Sequence, residues 1–244
     1  CWSVGACLCV PSSADMLRAV AFARDEGITV WFSVPSLVML MQRTRVLGPG
    51  ALPALRLAFF CGEPLHWAVV RSFSEAAPAA RLINLYGPTE ATIALTAYEV
   101  RPGEPGEEGV VPIGKVFVGS EARVVEEQLL LGGPQVAVGY VGRPEATEHA
   151  FVTEAGMRWY RTGDRVRSDA NGDLHFVGRI DDQVKIMGHR VEPAEVDAVL
   201  ASLVQGHVIT LAHRGTDRVR LYTFVDEPVD HAVMLSELRR NLPA

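Results

Sequence analysis

Asn84-Leu85-Tyr86-Gly87-Pro88-Thr89-Glu90 gathers the groups a nucleotide needs into one short stretch. The tyrosine offers a flat face for a base and the glycine allows close backbone approach. The threonine hydroxyl can donate to a phosphate, and the glutamate can hold Mg²⁺. Taken alone, the run also fits a polar turn after a strand. Further along, Tyr160-Arg161-Thr162-Gly163-Asp164 sets a carboxylate beyond a glycine, able to accept from two neighbouring hydroxyls at once. A third run, Gly178-Arg179-Ile180-Asp181-Asp182-Gln183-Val184-Lys185-Ile186-Met187-Gly188, brings an arginine fork suited to anionic oxygens, paired aspartates, and a lysine ahead of a glycine.

The elements that must carry these runs can be read from pattern. Ser12, three residues before Asp15, makes a capping-box-like start; apolar residues at helical spacing follow, and Gly27 is a plausible stop. Ile28 to Val34 reads as a buried strand and Pro35 to Met41 as a short helix. Arg56–Cys61 reads as a strand, Leu65–Ala76 as a helix and Arg81–Leu85 as a strand. Alternation of this kind implies a mostly parallel sheet covered by helices, with ligands beyond the carboxyl ends of the strands. Gly62-Glu63-Pro64 and the Tyr86 loop both fall at such ends.

From Ile93 to about Val177 the texture becomes β-rich, punctuated by glycine and proline. The runs Thr96–Val100, Glu121–Val125, Leu129–Leu131, Val136–Val138 and Leu174–Val177 suggest a small barrel or antiparallel sheet, with a hairpin signal at Asn171-Gly172. After Asp182 comes a compact α+β unit of about sixty residues. It holds a helix over Ala194–Leu203, strands over His207–Ala212 and Val219–Val225, and a final helix over His231–Asn241. The expected division is therefore 1–92 for an α/β sheet subdomain, 93–180 for a β-barrel-like subdomain and 181–244 for a small α+β domain.

Composition limits the classes. The 244 residues are 48% hydrophobic and 21% charged, an ordinary globular balance. A net charge of −6 gives no reason to expect nucleic-acid binding, although a local basic patch could serve an acidic carrier. Cys1, Cys7, Cys9 and Cys61 show no zinc-ligand spacing and suit free thiols in a reducing cytosol. The apolar run Val30 to Met41, broken by Ser33, Pro35 and Ser36, is too short to span a bilayer, and the amino end shows no signal peptide. Both ends look cut.

The three runs, in this order, resemble the adenylate-forming superfamily, most closely the amino-acid adenylation domains of nonribosomal peptide synthetases. Phe60-Cys61-Gly62-Glu63 and Val30 to Ser36 are also similar to D-alanine–carrier protein ligases. The resemblance implies that ATP and Mg²⁺ are used to turn a small amino acid into aminoacyl-AMP and pyrophosphate. The acyl group would then pass to the phosphopantetheine thiol of a carrier protein. It implies that Tyr86 stacks on adenine, with Asn84, Gly87 and the backbone of Gly62, Glu63 and Pro64 framing the base. Thr89 would meet the α-phosphate, Glu90 hold Mg²⁺, Asp164 bind the ribose, and Arg179 touch ribose and phosphate. Asp181 would be the hinge, with Lys185 and Gly188 on the loop used for thioester formation. Met187 departs from the arginine common at its position, and His189 reads as a surface residue.

The side-chain pocket implied by the resemblance is lined by Phe32, Phe59, Cys61, Leu85, Ile93 and Ala94, apolar and narrow. The family's lysine-containing phosphate loop would precede Cys1 and its catalytic lysine would follow Ala244, so residues 1–244 alone would adenylate poorly. Between Val125 and Gln128 the family carries a longer Gly/Pro-rich loop than Glu126-Glu127. Either this member is short there or a loop is missing from the sequence, the second being favoured. An acyl- or aryl-acid CoA ligase and a truncated non-catalytic module are the competing readings. An aspartate upstream of Cys1 would decide for an α-amino acid.

Overall fold

The computed structural model describes residues 2–16, 18–101, 103–104, 108–186, 188–201, 203–204, 206–215, 219–226 and 228–242. The chain forms two compact units, residues 1–178 and 179–244.

The first unit opens with a 3₁₀ turn, Trp2–Val4, and two short helices, α1 (Ser13–Met16) and α2 (Ala19–Asp25). Asp15 accepts from the Ser12 amide and hydroxyl, at 2.9 and 2.6 Å, while the Asp15 amide donates to Ser12 Oγ. This reciprocal bonding is what the Ser12/Asp15 spacing suggested. Then come β1 (Val30–Ser33), α3 (Pro35–Arg43), β2 (Leu57–Phe60), α4 (Trp67–Ala76) and β3 (Arg81–Tyr86). β1, β2 and β3 pair in parallel. Two further strands, β4 (Thr96–Glu99) and β5 (Lys115–Val116), add antiparallel beyond β3, so the five-stranded sheet is mixed.

Period-two alternation sets the faces of this sheet. Ala58, Phe60, Leu82 and Tyr98 turn to one side, where Val38 and Met41 of α3 and Val69, Val70 and Phe73 of α4 meet them. Phe60 and Phe73 pack edge to face at 5.1 Å. On the opposite side Val30 is 47% and Phe32 54% exposed, so β1 is not the buried strand its composition suggests. A run of β-branched and aromatic residues reports strand formation, not whether both faces are covered.

The β-rich segment divides between two sheets. Although Thr96–Val100 shares the texture of the later β-rich runs, β4 joins the first sheet. There Tyr98 enters the helix-covered core, and Arg81 clasps Glu99 through two bonds of 2.7 Å. Residue 92 therefore lies inside a stretch that connects two strands of one sheet. The second sheet consists of β6 (Glu121–Val125), β7 (Gln128–Gly132), β8 (Phe151–Glu154), β9 (Met157–Ser168) and β10 (Leu174–Arg179), ordered β10-β9-β7-β6 with β8 on β9. Helix α5 (Pro144–Ala150) precedes β8. The Asn171-Gly172 hairpin forms between β9 and β10; Asp169 Oδ1 holds the Asn171 and Asp173 amides, both at 2.9 Å. Glu126 and Glu127 close a two-residue turn with Val125 opposite Gln128, at φ 49° and 66°. Left-handed backbone at both tip residues is the geometry such turns demand, but it usually falls to Asn-Gly.

Val136–Val138 forms no strand. The Arg158 guanidinium takes the carbonyls of Ala137 and Val138, at 2.9 and 2.5 Å, and thereby holds the segment as a loop. A core of Tyr86, Ala91, Leu95, Ile113, Leu129, Leu131, Val166 and Leu174 lies between the two sheets.

The second unit contains β11 (Val184–Ile186), β12 (His189–Val191), α6 (Pro193–Leu200), β13 (Val208–Arg214), β14 (Val219–Val225) and α7 (His231–Asn241). β11 pairs with β12 and β13 with β14, both antiparallel, and α6 lies against β13 and α7. Asp230 caps α7 by accepting from the Ala232 amide at 2.8 Å. Among the described residues no helix is long and apolar enough to cross a membrane.

Candidate functional site

β3 delivers Tyr86 to its carboxyl end, and the chain then folds back on itself. The Leu95 amide donates to the Tyr86 carbonyl at 2.9 Å. A Cβ on Gly87 would lie 2.7 Å from Ala94 Cα, so only glycine admits this close approach. Thr89–Ala91 forms a 3₁₀ turn, followed by Thr92 and Ile93 at φ 54° and 69°. Two successive non-glycine residues in left-handed backbone store strain of the kind that collects at binding sites. The surrounding structure holds it in place. Thr92 Oγ1 donates to the Gln135 carbonyl at 2.8 Å, Gln135 Nε2 to the Ala94 carbonyl at 3.0 Å, and the Ala137 amide to the Glu90 carbonyl at 2.8 Å.

Two carboxylates are each held by a phenol. Tyr86 Oη donates to Asp164 Oδ2 at 2.5 Å, across 78 residues of sequence, and both side chains are buried. Asp164 is itself fixed, its amide donating to Thr162 Oγ1 at 3.0 Å while that hydroxyl donates to the Leu129 carbonyl at 2.7 Å. Glu90, 8% exposed, accepts at Oε1 from Tyr140 Oη at 2.7 Å. Burial, together with the bonds to Glu90 and Tyr160, pushes the Tyr140 phenol far above its ordinary value, so it stays protonated and donating. The Tyr140 ring packs against Phe151 at 5.4 Å, and Phe151 against Tyr160 at 5.1 Å.

The other expected site residues of the first unit lie at several places in the first sheet and its loops. Thr89 is exposed beside Glu90. Gly62 sits at φ 95°, a left-handed position after β2, and Pro64 is exposed. Glu63 Oε2 accepts from the Ser36 amide at 2.9 Å and so caps the first turn of α3. Asn84 is 2% exposed, with Nδ2 donating to the Pro112 carbonyl at 2.8 Å and the Val111 carbonyl at 3.4 Å; its amide secures that segment. Phe32 lies opposite Phe59 in the register, and both share the less covered sheet face with Leu85 by alternation. Cys61 is buried and donates its thiol to the Ile93 carbonyl at 3.6 Å; Ile93 is 61% and Ala94 5% exposed.

In the second unit, Arg179 and Asp181 bond each other. Arg179 Nε and Nη2 donate to Asp181 Oδ1 and Oδ2, both at 2.6 Å. Burial raises the Asp181 carboxyl, but the Arg179 donors and charge outweigh it and hold the group below its usual range. The pair therefore persists at neutral pH and opens only as the pH falls through that depressed value. Lys185 is half-buried, opposite Arg190 in the β11–β12 pair; Gly188 is exposed at the turn, with φ 84°. His189 is exposed, and Met187 lies outside the described residues.

Residues 1–141 match the family model described as AMP-binding enzyme. The chain belongs to this family. It is 37% identical, over 88% of its length, to a hybrid PKS-NRPS synthetase, prlS, of Fungal sp. (strain NRRL 50135), covering 6% of that protein. It is 32% identical over 85% of its length to the D-alanine--D-alanyl carrier protein ligase of Bacillus licheniformis, covering 44% of that enzyme. Among solved structures it is similar to the Vibrio cholerae adenylation domain AlmE in complex with glycyl-adenosine-5'-phosphate. There the TM-score is 0.88 and the identity 34%, over 98% of this chain and 49% of that one. The chain thus spans about half the length, or less, of the relatives it matches.

Sequence reasoning passed over Tyr140. Its only sequence signal is its place after Gly139 in a glycine-spaced loop, and its partner lies 50 residues away.

Proposed function

We propose that this chain contributes the nucleotide-binding rim of an ATP-dependent ligase. The enzyme converts a small amino acid into aminoacyl-AMP and pyrophosphate, then passes the acyl group to the phosphopantetheine thiol of a carrier protein. The observation that carries this reading is the convergence of Tyr86, Asp164, Glu90 and the strained Thr89–Ile93 turn beyond the carboxyl end of β3. In this reading Tyr86 lies against the adenine while its hydroxyl steadies Asp164, which accepts from the ribose hydroxyls. Asn84, Gly87 and the Gly62–Pro64 backbone frame the base from behind, and Thr89 meets the α-phosphate. Arg179 serves the nucleotide when it is not clasped to Asp181, the hinge, and Lys185 and Gly188 lie on the loop used for thioester formation.

Mg²⁺ fits the donors present. Among the described residues no cluster of three or more His, Cys, Asp or Glu side chains could cage a metal. Mg²⁺ is held through one or two carboxylates plus substrate phosphates and water, and Glu90 supplies such a carboxylate. Bound there, the ion would offset charge on the phosphates.

A small amino acid is supported by the apolar pocket residues and by the relatives, ligases for D-alanine and a domain bound to glycyl-adenosine-5'-phosphate. Amino-acid-dependent ATP–pyrophosphate exchange by the full-length protein tests the reading, screened over the proteinogenic amino acids, D-alanine and common aryl acids. Exchange with an aryl or fatty acid alone would replace it with the CoA-ligase reading. Filling the pocket with Cys61→Phe should raise KM for the preferred amino acid about tenfold or more. An unchanged KM would remove Cys61 from the pocket.

A further inference from the structure

A glutamate side chain has three rotatable bonds, and a cation ligand is useful only if the carboxylate already points where the ion will sit. At Glu90 that orientation is set from outside the 3₁₀ turn that carries it. Tyr140 Oη donates to Oε1 at 2.7 Å, and Tyr140 is anchored in its turn. Its amide donates to Thr147 Oγ1 of α5 at 2.9 Å, and its ring packs on Phe151. The same loop reaches the Glu90 backbone, where the Ala137 amide donates to the Glu90 carbonyl. Side chain and main chain of Glu90 are thus gripped by one segment, residues 135–140, which is fixed in turn by Arg158.

We propose that Tyr140 is a positioning residue: its hydroxyl holds the Glu90 carboxylate in the orientation that receives the divalent cation accompanying ATP. The inference rests on the reading of Glu90 as the Mg²⁺ ligand. A phenol donor suits this task because it is neutral. It aligns a carboxylate without cancelling the charge the cation needs, as a lysine or arginine would.

Tyr140→Phe keeps the ring and its packing and removes only the hydroxyl. In the full-length protein it should raise the Mg²⁺ concentration for half-maximal pyrophosphate exchange about tenfold, the loss of one bond to a charged group. Without amino acid, and so without turnover, binding of Mn²⁺ in the presence of ATP should weaken by a similar factor in electron paramagnetic resonance. KM for the amino acid should stay within about twofold. Phe73→Leu is the packing control: it loosens the helix-covered core away from the site, lowers the melting temperature and leaves the metal requirement alone. The proposal is overturned if Tyr140→Phe leaves both metal measurements at the wild-type value, or if Phe73→Leu shifts them equally. Wild-type protein that binds Mn²⁺ with ATP yet exchanges pyrophosphate with no amino acid would remove the activation reading. The Tyr140 inference would then stand or fall on the binding measurement alone.

Discussion

Full-length protein carrying Glu90→Gln should exchange pyrophosphate about 100-fold more slowly than the wild type, the scale of losing one well-placed electrostatic group in a water-poor site. Glutamine has nearly the same shape and still offers Tyr140 a carbonyl oxygen, so the fold should be retained. What disappears is a negative charge buried to 8% exposure beside the exposed hydroxyl of Thr89. The defect should appear in kcat more than in KM for the amino acid, because in the proposed reading the charge would act on the phosphates and not on the amino-acid side chain. Raising Mg²⁺ should recover only part of it. A variant exchanging within about threefold of wild type would show that Glu90 is a structural residue of the turn.

The largest expected loss of stability falls at Gly114. Its backbone, at φ 75°, runs against β4 so closely that an added Cβ would stand 1.9 Å from the Ala97 carbonyl oxygen and 2.4 Å from its carbon. Ala97 pairs with Lys115 on one side, and Gly114 bridges to Leu174 on the other. The clash therefore cannot relax without parting β4 from β5 or disturbing the bridge to Leu174. Gly114→Ala should cost roughly 3 kcal/mol or more, combining backbone overlap with left-handed strain. For a unit of this size that lowers the melting temperature by on the order of 10 °C. Gly109→Ala gives the contrast. Its φ is 93°, but nothing lies within 4 Å of the added carbon, so only the conformational cost of about 1 kcal/mol should appear. Equal shifts from the two would mean that the Gly114 contact is unimportant.

Local signals carried much of this fold into the sequence. Ser12 with Asp15, Pro35 at the start of α3, the Asn171-Gly172 turn and the full span of α7 follow from capping and turn chemistry within a few residues. The rim was legible for the same reason, since Tyr86 to Glu90 is contiguous and ends a strand. What escaped depends on partners far along the chain. Texture alone could not assign β4 to the first sheet, because Arg81 and the core around Tyr98 make that choice. Val136–Val138 has strand-like residues, but Arg158 removes two of its carbonyls from any ladder. The exposure of Phe32 reflects which sheet face the helices cover, and the bond from Tyr140 to Glu90 joins two stretches that no short window contains.

The contact between Tyr86 and Asp164 joins the tip of one sheet to the long strand of the other. A molecule settling there would touch the seam and not a single wall. Hydrogen–deuterium exchange should then register occupancy as slowed opening of β3 and β9 amides together, making the bound nucleotide a fastener for the surrounding architecture as well as cargo.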